Sequence, residues 1–552
     1  LIAEKIMNHC KSFIILLVTI SSSIIIASEA QQPKVTIPNI GTVYGRSSLF
    51  SKNVAVYNGI PYAKPPINNL RWQPPQPMGK FGDLNATEFG AVCMQFDFHN
   101  VKPITSEDCL FLNVASPMVE STNVNKSPLP VMVWIHGGAY VDGSSNLYTP
   151  DTLVARSNNS IIAVTLNYRL NIFGFLGGDD IQKRSNDGSA GNFGIQDQRL
   201  AIQWVKDNIA AFGGNGDDIT IFGESAGGNS VFNHLTQKAS FPLYKKAIIE
   251  SGVYNEGAFS FQHSNTEYIK AKETTLCPTL DCMLSRTSKE LLDASGAMAA
   301  AGFSGWGPVV DGVSLSDTPE NLITNNNYNN KVPIIIGSNR DELAFFTIKG
   351  VKNNLNEAEL NTILDAKNIK GAKQEEMKEL YSRENYTYPK KLGKFSFYWW
   401  QATRIGTDFV PGLGACGVRN IAKKLVKGKS PKVFSYLFAH PTQSANDKLP
   451  GCGPNATTVG HATEIVYVYN DVMLLQKGEE ADLASSMSLY WITFAKTGNP
   501  NNAQYLPANW PLYTVENDEV LRFDTKSDRG VHIQSGLRKK QCDFQEMNRF
   551  RI

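Results

Sequence analysis

The sequence has no excess of charge of either sign. Lys and Arg number 53 against 51 Asp and Glu, a net +2 over 552 residues. No Lys/Arg-rich stripe stands out, so neither nucleic acid nor an anionic membrane surface is expected as a partner. Beyond the N-terminal leader no apolar run is long enough to cross a bilayer, which takes about 20 residues. The final Arg549-Phe-Arg-Ile552 is neither an anchor signal nor a retention tetrapeptide, so no membrane anchor is expected. Fixed-period repeats and low-complexity linkers are missing too. Length alone suggests three or four domains, yet nothing divides the chain, and the expectation is a single α/β domain over 31–552 with insertions. What is present is ordinary for a water-soluble globular protein: 42% hydrophobic and 19% charged residues.

Residues 1–30 read as a targeting segment. The chain opens on Leu1 and its first methionine is Met7, which makes 1–6 upstream translated sequence. Lys11 precedes an apolar run over 13–27, and Ser28-Glu29-Ala30 supplies a small-x-small cleavage site. The expected mature chain starts near Gln31 and is secreted. Of the eight cysteines, Cys10 leaves with this leader. Cys93 and Cys109 bracket a short loop and Cys277 and Cys282 a shorter one, the pattern of local disulfides in an oxidising compartment. Cys416, Cys452 and Cys542 remain. That odd number leaves open a free thiol or a disulfide-linked homodimer. Sequons at Asn85, Asn125, Asn158, Asn385 and Asn455 fit a glycosylated surface.

After the leader, short β-prone runs at 35–37 and 54–57 with Gly and Pro between them suggest N-terminal antiparallel hairpins. Then the pattern changes. Apolar runs at 129–135, 161–166, 219–222, 247–249, 332–336 and 433–437 alternate with helical patterns such as 198–211. Continuous hydrophobic strands separated by helices predict a mostly parallel sheet covered on both faces. The stretch 350–430 is charged and helix-forming, an expected sub-domain at the sheet's C-terminal edge.

The chemistry centres on Gly-Asp-Asp-Ile-Thr-Ile-Phe-Gly-Glu-Ser-Ala-Gly-Gly over 216–228. A short buried strand ends at Gly223, and Gly227 and Gly228 precede a helical segment. So sharp a strand-to-helix turn leaves no room for side chains two positions either side of Ser225, which explains the glycines. Ser225 Oγ would stand out of the sheet at a helix N-terminus, where the dipole favours developing negative charge. Gly-x-Ser-x-Gly also arises by chance in glycine-rich chains, so the motif needs partners. A serine needs a base to take its proton, and the base needs a carboxylate to orient it.

In this kind of fold the chain order is serine, acid, histidine. The acid belongs just past the 332–336 strand, where Asp341 and Glu342 both stand, and spacing does not choose between them. Five histidines follow Ser225. His234 lies too far along the elbow helix, His263 precedes any candidate acid, and His532 sits in the C-terminal tail. His440 and His461 both follow 433–437, read as the final strand. His461, in the small-residue loop Val459-Gly-His-Ala-Thr-Glu464, suits display at a cavity mouth, whereas His440 adjoins Pro441 and suits a structural role. His136-Gly137-Gly138 follows the 129–135 strand. Its glycine N–H groups, with that of Ala226, supply a three-donor oxyanion hole.

These residues resemble the type-B carboxylesterase/lipase family, which includes the cholinesterases. The likeness covers nearly all of the expected mature chain. It includes Gly59-Ile-Pro-Tyr-Ala63, Glu107-Asp-Cys-Leu-Phe-Leu-Asn113, His136-Gly-Gly138, Gly191-Asn-Phe-Gly-Ile-Gln-Asp-Gln198, the serine turn, Glu250-Ser-Gly252, Pro308-Val-Val-Asp-Gly312 and Asp341-Glu342. The resemblance implies an α/β-hydrolase fold and a triad of Ser225, Glu342 and His461, with no metal and no cofactor. It also implies bridges Cys93–Cys109 and Cys277–Cys282, and a third from Cys542 to either Cys416 or Cys452. Cholinesterases carry a tryptophan inside the first disulfide loop for cation–π binding. Here 94–108 holds Phe96 and Phe98 but no Trp, which speaks against choline esters. Fifteen residues also make a short lid, which favours small soluble esters over emulsified lipid. Trp306 resembles an acyl-pocket aromatic, and Phe345 and Phe346 resemble gorge-lining ones. The expected activity is a secreted esterase acting on small-molecule esters. Two rivals stand beside it: a lipase on neutral lipids, and a cholinesterase-like adhesion protein with vestigial activity. All the triad positions are intact, which favours the enzyme.

Overall fold

The computed structural model describes residues 32–548 apart from 97–103, 119–126, 255–256, 303–304, 410–412, 444–451, 454, 472–473 and 476–477. Its main sheet holds eleven strands, in chain order β1 (Arg46–Ser47), β2 (Val54–Pro61), β3 (Phe111–Pro117), β4 (Leu129–Ile135), β5 (Ile162–Leu166), β6 (Gly214–Glu224), β7 (Lys246–Glu250), β8 (Ile334–Asn339), β9 (Val433–Phe438), β10 (Glu519–Phe523) and β11 (His532–Ser535). Across the sheet they run β11-β10-β9-β8-β7-β6-β4-β5-β3-β2-β1. From β10 to β5 the pairing is parallel throughout. Antiparallel strands finish both edges. Ahead of β1, Lys34–Ile37 and Gly41–Tyr44 form the expected N-terminal hairpin.

The central strands read as continuous apolar runs because both of their faces are covered. Val131, Val133 and Ile135 of β4 face one core, with Ile219 and Ile221 of β6 and Ala247 and Ile249 of β7. Helices Phe193–Asn208 and Ala415–Lys427 close that side. Met132, Trp134, Phe222 and Ile248, one residue out of step, face the other core, against Met487, Trp491 and Phe494 of helix Glu479–Thr497. This period-2 alternation is what a pleated strand imposes.

Some boundaries differ from the sequence reading. The 332–336 run enters the sheet only at Ile334, because Pro333 has no N–H to donate to a ladder. The 433–437 strand is not the last. β10 and β11 follow it, and the C-terminal stretch that holds His532 forms edge strand β11. The 350–430 segment divides in two. Helices Glu357–Ala366, Ala372–Leu380 and Phe397–Phe409 bury their own core around Leu360, Met377, Tyr381, Trp399 and Trp400. Ala415–Lys427 instead packs Val418, Ile421 and Leu425 into the sheet's core.

Residues from Pro33 onward form one compact unit. Three disulfides join Cys93–Cys109, Cys277–Cys282 and Cys416–Cys542. Cys452 forms none; it is half-buried, and burial pushes its thiol up to about 11, which makes for a poor nucleophile. Asn85, Asn158, Asn385 and Asn455 are exposed, while Asn125, Phe98 and the leader with Cys10 lie outside the described residues. No helix among the described residues is long and apolar enough to cross a membrane.

Candidate active site

β6 runs into helix Ala226–His234 through Ser225 alone, whose backbone takes φ 58° and ψ −123°. A non-glycine residue there is strained, and the surroundings must hold it. The Ser225 N–H donates to the Glu250 carbonyl of β7 at 2.9 Å. The crowding expected of this turn is real. A Cβ on Gly227 would come within 1.9 Å of the Ile135 carbonyl oxygen, and one on Gly223 within 2.5 Å of it.

The two acid candidates separate cleanly. Glu342 follows β8 and meets His461 Nδ1 through Oε2 at 2.6 Å. Its other oxygen accepts from Ser251 Oγ and from the Asn339 N–H, both at 2.6 Å. Asp341, one residue earlier, pairs with Arg340 at 2.9 Å and Arg404 at 2.7 Å. Burial disfavours its charge, but those two guanidiniums outweigh burial and hold its carboxyl below the usual range. Asp341 also accepts the Val459 N–H at 2.9 Å while its own N–H donates to the Val459 carbonyl, so it fastens the His461 loop in place.

The histidines separate as well. His461 and Ser225 line one cavity of about 230 Å³. His440 does not line it; its Nε2 lies 2.8 Å from Glu480 and its Nδ1 3.7 Å from Asp524. His234 is sealed between Ser240 and Gln198, and burial lowers its pKa to about 3, so it stays neutral. No hydrogen bond joins His461 to Ser225. His461 Nε2 is without a hydrogen-bond partner and lies 3.2 Å from Glu224 Oε1. Catalytic hydrogen bonds are often long before substrate binds.

Buried carboxylates act on the imidazole. Glu224, Glu342 and Glu464 each raise its pKa. Burial disfavours the imidazolium, yet Glu224 and then Glu342 overcome it and push His461 up to about 10. Burial, reinforced by Glu464 and Glu342, also raises Glu224 well above the carboxylate range. Glu464 rises to about 7, through burial first and Glu342 second. His461 and Glu224 therefore compete for one proton, and the site titrates as a group.

The turn after β4 supplies the remaining wall. A Cβ on Gly137 would sit 3.0 Å from Ser225 Cβ and 2.8 Å from the Glu224 carbonyl oxygen, so only glycine fits beside the serine. Among the described residues no acceptor takes the N–H of Gly137, Gly138 or Ala226. The turn residues that line the cavity are Ala139 and Tyr140. Sequence reasoning missed Ala139, although a small residue continuing the Gly-Gly pair was a visible signal. His136 stacks on Tyr168 with ring centroids 4.4 Å apart, and burial lowers its pKa to about 4. Trp306 and Phe346 line the cavity, with Tyr254, Phe259 and Leu413. Phe345 is not among the lining residues, since consecutive helical residues point in different directions. Its ring packs 5.1 Å from Phe346 and 6.2 Å from His461.

A serine elbow at the C-terminal edge of a parallel sheet, with an acid after β8 and a histidine after β9, makes the protein an α/β-hydrolase. Comparison with known proteins narrows the class. The carboxylesterase family model matches residues 31–545. Carboxylesterase 1C of Mus musculus is 32% identical, over 88% of this chain and 88% of its own length. The acetylcholinesterase of Electrophorus electricus is 31% identical, over 90% and 85%. A solved Geobacillus stearothermophilus carboxylesterase superposes with a TM-score of 0.74 at 28% identity, covering 93% of this chain and 100% of its own. The chain belongs to the carboxylesterase family and is a carboxylic-ester hydrolase.

Proposed function

We propose that the protein is a secreted serine esterase acting on small, uncharged esters through an acyl-enzyme. Ser225 is the nucleophile, His461 the general base and acid, and Glu342 the residue that fixes the imidazole tautomer. The observation that carries this is the 2.6 Å bond from His461 Nδ1 to Glu342, on an imidazole sharing one cavity wall with Ser225. In the first half-reaction His461 takes the Ser225 proton as Oγ attacks the ester carbonyl. The oxyanion then rests against the N–H groups of Gly137, Gly138 and Ala226, with Ala139 a further donor at the cavity wall. His461 returns the proton to the leaving alcohol, and water repeats the cycle on the acyl-enzyme.

The cavity itself supports the substrate class. Aromatic and small side chains dominate its wall, and no Asp, Glu, Lys or Arg is among the described lining residues. Three disulfides and four exposed sequons are compatible with secretion. Ser225→Ala is expected to lower kcat on 4-nitrophenyl acetate about 10⁶-fold, with the melting temperature kept. Equal rates for purified wild type and variant would overturn the reading. A panel of acyl-chain lengths that includes acetyl- and butyrylthiocholine tests the substrate class, and preference for the cationic esters would count against it.

A further inference from the structure

The turn carrying Gly138 and Ala139 is strained in a way that calls for a restraint. Gly138, Ala139 and Tyr140 take φ of 104°, 51° and 61° in succession. For alanine, and still more for a bulky tyrosine, that region is strained and persists only when the surroundings over-determine it. Part of the restraint is backbone. The N–H groups of Val141 and Asp142 both donate to the Gly138 carbonyl, at 2.8 and 3.0 Å. On the far side, the Gln95 side-chain amide grips Gly143, accepting its N–H at 3.0 Å and donating to its carbonyl at 2.9 Å.

The side chain of Tyr140 supplies the rest. It is buried, with its ring 4.7 Å from that of Phe175. Its hydroxyl donates to Asn229 Oδ1 at 2.7 Å. Asn229 lies one helical turn past Ser225, its N–H donating to the Ser225 carbonyl at 2.8 Å. Asn229 Nδ2 donates at 3.1 Å to the carbonyl of Gly252. That residue follows Ser251, the donor to Glu342. Asn229 is held from behind by Asn233 Nδ2, 3.2 Å from the same Oδ1. One buried amide thus ties together the glycine turn, the elbow helix and the strand end behind the acid.

We propose that the Tyr140–Asn229 hydrogen bond is a positioning brace. It sets the turn's N–H donors against the Ala226 N–H, so that both halves of the oxyanion site converge on one point. Neither residue exchanges a proton with substrate; both act through the backbone they hold. The inference rests on the esterase reading above. Because the brace serves an anion that exists only after attack, its loss is expected to weaken transition-state binding and leave ground-state binding alone.

Tyr140→Phe tests this, since it keeps the ring and removes only the hydroxyl. The expected result is a fall in kcat of about 10- to 100-fold, the size of effect a small misplacement produces, with KM within about twofold of wild type. Affinity for a trifluoromethyl ketone, which forms a tetrahedral adduct with an oxyanion, is expected to fall by the same factor as kcat/KM. Asn229→Ala is expected to act alike, and the double variant to be no worse than the poorer single one. Unchanged kcat in Tyr140→Phe, a change in KM alone, or single-variant costs that multiply in the double variant would each overturn the brace. A fluorophosphonate probe separates the two levels. A wild type that takes the probe and hydrolyses ester alongside an equally active Tyr140→Phe sinks the brace alone. A wild type that does neither sinks the esterase reading and the brace with it.

Discussion

Two buried histidines follow β9, and both keep company with acids. His461 has Glu342 at 2.6 Å and Glu224 at 3.2 Å. His440 has Glu480 at 2.8 Å and Asp524 at 3.7 Å. For both, burial works against the imidazolium and the neighbouring carboxylates outweigh it, so both are pushed above the ordinary histidine value. A histidine–carboxylate pair is therefore no signature of catalysis. What differs is the other ring nitrogen. His461 Nε2 has no hydrogen-bond partner, in a wall shared with Ser225. Both His440 nitrogens are engaged, Nε2 by Glu480 and Nδ1 by Thr525 Oγ1 at 3.3 Å. Sharing a cavity wall with the serine, and not the pairing with acids, is what sets His461 apart.

The strongest way to break this comparison is to remove one imidazole at a time. His461→Gln is expected to lower kcat on a 4-nitrophenyl ester about 10⁴-fold or more, since the proposed nucleophile would lose its proposed base. Glu342→Gln should cost about 10³- to 10⁴-fold by leaving the imidazole without its orienting charge. Steady-state kinetics on protein of unchanged melting temperature checks both. Activity surviving in either variant would mean that the proximity of these groups is structural only.

The contrast explains why the fold was more legible in the sequence than the site. The runs that became β4, β5, β7 and β9 are buried on both faces, so every residue in them reports the same environment. β3 was harder to see as a strand, because its interior carries Asn113. That amide is satisfied by Ser145 and Thr165, partners invisible without the fold. β11 is the edge strand and buries none of its residues, and β10 beside it mixes half-buried with buried ones. Ser225 was readable because its turn is local, and the glycines it demands are neighbours in the chain. Asp341 against Glu342 was not decidable by spacing, since what distinguishes them is Arg404 on one and His461 on the other, 63 and 119 residues away. Only the family resemblance pointed to Glu342.

A subtler variant sharpens the comparison within the site itself. Below its pKa His461 is an imidazolium and takes no proton, so with His461 as the proposed base kcat/KM is expected to rise with pH. The carboxylates around His461 place that acid limb above the ordinary value of about 6.5. After burial, Glu224 is the foremost influence on His461 and raises its pKa. Glu224→Gln removes that charge while keeping the shape, so the limb is expected to move to lower pH. The rate on the high-pH plateau should change far less than in Glu342→Gln. A pH profile of kcat/KM on a neutral ester checks this. A limb that stays in place would show that Glu224 is already uncharged where His461 titrates.

The smallest effect on activity belongs to His440, and there the comparison turns from catalysis to stability. His440→Gln is expected to leave kcat and KM within about twofold of wild type, because the ring lies outside the cavity wall. Its cost should appear in unfolding, about 1–3 kcal/mol for the polar partners left without their charged donor. The sign of the pH dependence follows from linkage. His440 has its folded pKa raised above the unfolded value, since Asp524 and Glu480 outweigh burial. Its contribution is then fully present below about pH 6.5 and is lost as pH rises through the folded pKa. The melting-temperature gap between wild type and His440→Gln should therefore be widest at mildly acid pH and narrow toward alkaline pH. A gap that widened with pH would mean the imidazole is held neutral, as a hydrogen-bonding ring and not an ion. The two histidines would then differ in charge as well as in access, and the carboxylates beside His440 would be packing partners only.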